Sequence, residues 1–119
     1  MYSRAALVLT ALAVCFAAFP SVASAHNVRV SPRFGIVGDD FVFRGKAWQR
    51  FRNVRWFYDQ SNDGSFDDSG RFFLTSTRFR FTWFNETVVD THRMCFRQFD
   101  TRFDRVFFKC RRFTVLPSD

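Results

Sequence analysis

Residues 77–84 alternate cleanly: Phe79, Phe81 and Trp83 fall on one side of an extended chain and Arg78, Arg80 and Thr82 on the other. A strand with one face on a core and one in water produces this period of two, because successive side chains point to opposite faces. Residues 53–59 repeat it, with Val54, Trp56 and Tyr58 set against Arg55, Phe57 and Asp59, and residues 41–44 do so briefly. Apolar and β-branched residues also fill 28–30, 71–74, 88–99 and 103–116, while helical spacing is nearly absent. Between these runs stand Ser31-Pro32, Gly35, Gly38-Asp39-Asp40, Gly45 and the polar stretch 59–70, the residue types that turns use. Seven short strands at this spacing predict an all-β fold, a seven-stranded antiparallel β-sandwich. The 19 phenylalanines suit an interior of two facing layers of rings.

The first 25 residues follow another pattern. Arg4 precedes an apolar run over 5–19, then come Pro20 and the small residues Ser21-Val22-Ala23-Ser24-Ala25, which together have the form of a secretory signal peptide cleaved near Ala25. Pro20 ends the run short of the roughly 20 apolar residues a bilayer span needs. A lipidated Cys15 is disfavoured, because Val14 stands where a small residue is wanted and apolar sequence continues past the cysteine. The expectation is one secreted or extracytoplasmic domain over 26–119, with His26 as its first residue and no transmembrane segment in the mature chain. Ninety-four residues suffice for one core and not for two.

Loss of the leader removes Cys15 and leaves Cys95 and Cys110, and a pair in an oxidising compartment is expected as a disulfide. It clamps a hairpin of the last two strands with its turn near Arg102 and Phe103. An unbroken register would set Phe96 opposite Lys109 and Met94 opposite Arg111. A bulge near Arg111-Arg112 is therefore expected, returning Phe113 and Val115 to the inner face.

The stretches "VSPRFGIVGDDFVFRG", "VRWFYD", "DTHRMCFRQFD" and the closing "FTV" resemble the bacterial extracellular Ig-like sandwiches, including PKD-type domains. Those domains carry a proline and glycine before their second strand and a tryptophan in the third. An Asp/Asn/Gly-rich turn follows, and a G-x-Y-x-V-type strand comes near the end. His92 stands here where that strand usually has a tyrosine. The resemblance implies an Ig-like β-sandwich acting as a non-catalytic surface or secreted module.

Candidate chemistry is sparse. The loop from Asp59 follows D-x-S-x-D-G, so Asp59, Ser61, Asp63 and Asp67 offer oxygen ligands for calcium, yet Gly70 stands where the bidentate glutamate of an EF-hand belongs. The same residues make an ordinary inter-strand turn. His26, as a mature amino terminus, could join Asp90 and His92 in a copper site; the plainer reading is an exposed first residue and a strand histidine. Calcium and copper are the only cofactors suggested, and neither is required.

No serine or free thiol accompanies Asp90 and His92 as a nucleophile, and the loop carboxylates are crowded together, so no enzyme is expected. The net charge of +7 falls by one with Arg4, and the bases are nearly all arginine. Arg78, Arg80, Arg93, Arg97, Arg111 and Arg112 are candidates for one anion-binding face, against the alternative of a solvated outer surface. The function expected is a secreted binding or adhesion module, with an anionic polysaccharide or another surface protein as partner. A copper carrier and a structural envelope component are the alternatives.

Overall fold

Phenylalanines at alternate positions set the architecture. The computed structural model describes residues 25–119, and the expected leader lies outside them except for Ala25. Eight strands occur among the described residues: β1 Asn27–Ser31, β2 Phe34–Ile36, β3 Phe41–Lys46, β4 Asn53–Asp59, β5 Asp68–Phe73, β6 Phe79–Trp83, β7 Asp90–Asp100 and β8 Arg105–Leu116. They form a three-stranded sheet in the order β1-β3-β6 and a five-stranded sheet in the order β2-β8-β7-β4-β5. The two pack face to face as a sandwich. In β3 the inward residues are Phe41, Phe43 and Gly45, and the outward ones Val42, Arg44 and Lys46.

One strand more than expected is present, and it breaks the antiparallel rule. β2 runs parallel to β8, pairing Phe34 with Thr114 and Ile36 with Leu116. Three residues are too few to show alternation, and Phe-Gly-Ile lies between Pro32 and Gly38 in what reads as turn composition. The chain leaves the three-stranded sheet after β1 and joins the five-stranded one at β2. The Asp39 carboxylate stops the strand there by accepting the Ile36 N–H at 2.9 Å.

The core contains Val28, Phe41, Phe43, Trp48, Val54, Tyr58, Leu74, Met94, Phe96, Phe113 and Val115, all buried. Two glycines make room for rings. Gly45 lies directly opposite Phe79, and a Cβ on it would meet that ring at 2.0 Å; Gly70 lies opposite Trp56, whose indole a Cβ would meet at 2.5 Å. In both cases the aromatic ring covers its cross-strand glycine and shields the backbone.

The last hairpin corrects the expected bulge. β7 and β8 pair without interruption from Asp90 opposite Val115 to Asp100 opposite Arg105. Lys109 and Arg111 therefore point to the inner side, as the unbroken register requires. They are tolerated because β2 covers only 114–116, so β8 is the edge of its sheet over the preceding residues, where the gap between the sheets opens. Arg111 uses that opening: its Nε donates to the Val28 carbonyl of β1 at 2.6 Å and ties the two sheets together. Inward charges on an edge strand also oppose pairing with another molecule.

Cys95 and Cys110 stand directly opposite each other on the outward side, with Cα atoms 4.0 Å apart, and form the expected disulfide. Closing a loop of this length removes denatured-state entropy worth about 3 kcal/mol. The Cys95→Ala/Cys110→Ala double variant is expected to lose about that much in urea unfolding, with a melting temperature lower by at least about 10 °C. Equal urea midpoints for the two proteins would show that the clamp contributes nothing to stability.

Candidate anion-binding faces

The carboxylates of this chain serve mostly its own backbone. Asp40 accepts the Asn85 N–H, Asp63 that of Ser65, Asp67 that of Gln60, Asp68 that of Ser69 and Asp90 that of Thr91. Glu86 accepts the N–H groups of Thr87 and Val88 and the hydroxyl of Tyr58. Of the arginines and lysines among the described residues only Arg93, on Asp59 at 3.1 Å, and Arg102, on Asp100 at 2.6 Å, pair with an acid. The other described arginines and both lysines have no carboxylate partner.

Strand register gathers these free cations into rows. On the outer face of the three-stranded sheet Arg29, Arg44 and Arg80 are direct cross-strand neighbours, and Lys46 follows opposite Asn27. With Arg78, just before β6, they line a concavity of about 570 Å³. On the outer face of the five-stranded sheet Arg71, Arg55 and Arg97 form a second row, which Phe108 continues on β8. Like charges directly opposite destabilise a sheet. A second concavity, about 730 Å³, wraps the β1/β8 edge and is lined by Arg29, Arg33, Arg93, Arg111 and Arg112. Arg29 belongs to both this concavity and the first, so the basic surface runs from one face over the edge to the other.

The six arginines expected on one face are thus distributed. Arg78 and Arg80 lie on the three-stranded side; Arg111 and Arg112 lie on β8 at the edge; Arg93 and Arg97 lie on β7, the middle strand of the five-stranded sheet. Sequence reading missed Arg29, Arg44, Arg55 and Arg71. Each occupies the outward position of an alternating run, but their convergence depends on cross-strand register.

The aromatic residues divide between the two sides. Phe57, Phe66 and Phe108 cluster on the outer side of the five-stranded sheet, with the Arg55 and Arg93 guanidiniums over the rings of Phe57 and Phe66. Phe73 and Phe99 are also outward, and Phe51 stands beside them, more than half exposed.

The metal candidates are arranged otherwise. The buried Asp59 carboxylate accepts the Asp63 and Gly64 N–H groups at 3.2 and 2.8 Å and pairs with Arg93. Burial would raise its pKa, but these two amides and Arg93 outweigh that and hold it below the usual carboxylate value. Asp63 and Asp67 bond other amides of the loop, so the three carboxylates Asp59, Asp63 and Asp67 organise a turn. His92 is buried between β4 and the segment after β6, its ring nitrogens facing the Gln60 and Val88 carbonyls. His26 binds Asp100 at the other end of β7, about 27 Å away. Asp90 is exposed, and no group of three or more His, Cys, Asp or Glu residues converges among the described residues.

His26 is the opposite of an exposed first residue. Its ring stacks on Phe107 at 3.8 Å and meets the edge of Trp48, while Nε2–H donates to Asp100 at 2.9 Å and approaches Gln98. Its Nδ1 is buried with no partner. A bare nitrogen there is tolerable, whereas a protonated one would be a buried unpaired donor. Burial accordingly holds the His26 pKa below 6.5, against the opposing pull of Asp100.

Comparison with protein-family models, curated proteins and solved structures returns no match to this chain.

The lowered His26 value fixes a pH dependence. The neutral ring's contribution is complete above the unfolded value of 6.5 and is lost as pH falls below it through the folded value. The urea midpoint is expected to drop between pH 7.5 and pH 5 by roughly the amount this titration carries, and to drop less in His26→Gln. Parallel curves for the two proteins would contradict the assignment.

Proposed function

We propose that the chain is an exported, non-catalytic Ig-like β-sandwich module that binds an anionic polymer at or beyond the cell surface. The observation that carries this reading is the pair of in-register arginine rows, Arg29, Arg44 and Arg80 on one sheet and Arg71, Arg55 and Arg97 on the other. A merely soluble surface has no need of repulsive neighbours in register, because the same arginines placed beside acids would solvate the sheet equally well. Planar guanidiniums in a fixed row match the carboxylates, sulfates or phosphates of a polymer by paired hydrogen bonds. The apolar leader pattern supports export, and the disulfide agrees with an oxidising destination.

Binding and stability should respond oppositely to loss of a row's central arginine. Arg44→Gln and Arg55→Gln are each expected to elute from immobilised heparin at lower salt than the parent protein. Each should also gain about 0.2–1 kcal/mol in unfolding stability as the like-charge contacts disappear. The parent should be retained at low ionic strength and released well before ~1 M salt, where screening shortens to about 3 Å. Flow-through of the parent at low salt would end the proposal.

A further inference from the structure

The groove on the outer face of the five-stranded sheet is built from rings as well as charges, and its rings lie outside the core, Phe51 and Phe99 held beside guanidiniums of Arg50 and Arg52. Phe51 has a φ of 62°, a left-handed backbone that a bulky residue rarely adopts and that costs energy. Its ring is 61 % exposed, so no burial offsets that cost. The conformation is nevertheless held firmly: the Phe51 N–H donates to the Leu74 carbonyl at 2.7 Å, and the Leu74 N–H donates to the Arg52 carbonyl at 3.0 Å. This fixes the Phe51 ring near Phe73, 58 % exposed, and Phe99, 41 % exposed. With Arg52, Arg55 and Arg97 these rings line a groove of about 400 Å³. Arg52 is itself pinned, its Nε donating to the Phe99 carbonyl at 2.9 Å and its guanidinium lying over the Phe99 ring.

We propose that this groove binds a single-stranded nucleic acid, the bases stacking on Phe51, Phe73 and Phe99 while Arg55, Arg97 and the adjoining Arg71 pair with phosphates. The inference rests on the anionic-polymer reading and names the polymer for this face. Phenylalanine offers a flat apolar surface and no hydrogen-bonding atom, which suits a base of any identity. A polysaccharide would bring many hydroxyl groups that need acceptors, yet no carboxylate lines the groove, the Gln98 side chain is already bonded to His26 and Gln49, and the Asn53 amide is the one side-chain acceptor left on the lining. In a duplex the base faces are hidden in the stack, leaving the rings without a partner. Along the strands, outward rows lie two residues apart, about 7 Å. The ring row of Phe73 and Phe99 and the arginine row of Arg55 and Arg97 are such neighbours, so apolar and cationic rows alternate as bases and phosphates do along an extended strand.

The test is fluorescence anisotropy of the purified protein at one ionic strength with three labelled probes: an oligothymidine of about 15 nucleotides, the same strand in a duplex, and heparin. The single strand should bind more tightly than the duplex. Phe51→Gly, which also relieves the left-handed backbone and should keep or raise the melting temperature, and Phe99→Ala should each weaken the strand about fivefold or more while leaving heparin within about twofold. Arg97→Gln should weaken strand and heparin together and lower the salt slope for the strand by about 0.7. Equal or tighter duplex binding, or phenylalanine variants that bind the strand as the parent does, would overturn the inference. So would heparin losing as much affinity as the strand, which would assign the groove to a polysaccharide. Heparin bound with no strand bound would remove this inference alone, whereas no binding to any probe would remove the anionic-polymer reading with it.

Discussion

Phe96 is the residue on which the two sheets close. It projects from β7, near the centre of the five-stranded sheet, and its ring lies 5.6 Å from Phe43, 5.1 Å from Phe79 and 5.5 Å from Phe81, all three on the opposing sheet. Burying one such side chain contributes about 1.5–3 kcal/mol, and well-placed ring pairs add about 0.5–1.5 kcal/mol each. The consequence reaches the surface through parity. With Phe96 inward, Cys95 and Arg97 must point outward, and pairing then brings Arg55 and Arg71 out beside Arg97. Phe43 imposes the same constraint on the other sheet, turning Arg44 outward between Arg29 and Arg80. The aromatic core therefore determines where the arginines stand.

Charge is divided by position. Acids occupy loops and strand ends, where backbone N–H groups left over by the turns take up their oxygens, and most bases occupy the strand faces, where among the described residues only Arg93 meets a carboxylate. Asp59 illustrates the acid side: it reaches two amides of its loop and Arg93 at once. Asp100 does the same at the far hairpin, where the Arg102 fork and His26 converge on it. Burial alone would raise the Asp100 pKa, but the bonds and charge of Arg102, with His26, hold it below the usual carboxylate value. Acids committed in this way cannot neutralise the arginine rows, so the fold decides where the surplus positive charge given by composition stands.

Legibility in the sequence followed the range of the interactions. β4 and β6 were readable because alternation is a property of consecutive residues. β2 was hidden because three residues cannot display a period and because its partner, β8, lies about 80 residues away along the chain. The absent bulge has a similar cause: inward Lys109 and Arg111 look wrong until one knows that β8 is an edge there and that the Val28 carbonyl waits across the gap. The disulfide was readable from cysteine count and the expectation of an oxidising compartment, but the arginine rows were not, since register joins residues from three strands. Phe51 carried no signal at all, because an exposed phenylalanine in left-handed backbone looks in sequence like any core residue.

The ends of the sandwich are closed, which leaves recognition to the faces. At one end Tyr58, Glu86 and His92 form a buried hydrogen-bonded set, and burial with the neighbouring Glu86 pushes the Tyr58 phenol above its ordinary pKa. At the other end Trp48, Phe103 and Phe107 enclose His26 over Asp100. The polar loops are held by their own carboxylates. Unpaired charge is instead concentrated on strands, with the Phe73, Phe99 and Phe108 rings beside it, where the backbone is fixed by its ladder and side chains need little ordering on binding. The disulfide belongs to this arrangement. The row holding Cys95 and Cys110 is the outward row next to the one holding Arg97 and Phe108. By locking β7 against β8 it prevents a slip between these two strands and so holds Phe108 in line with Arg97 at the end of the arginine row.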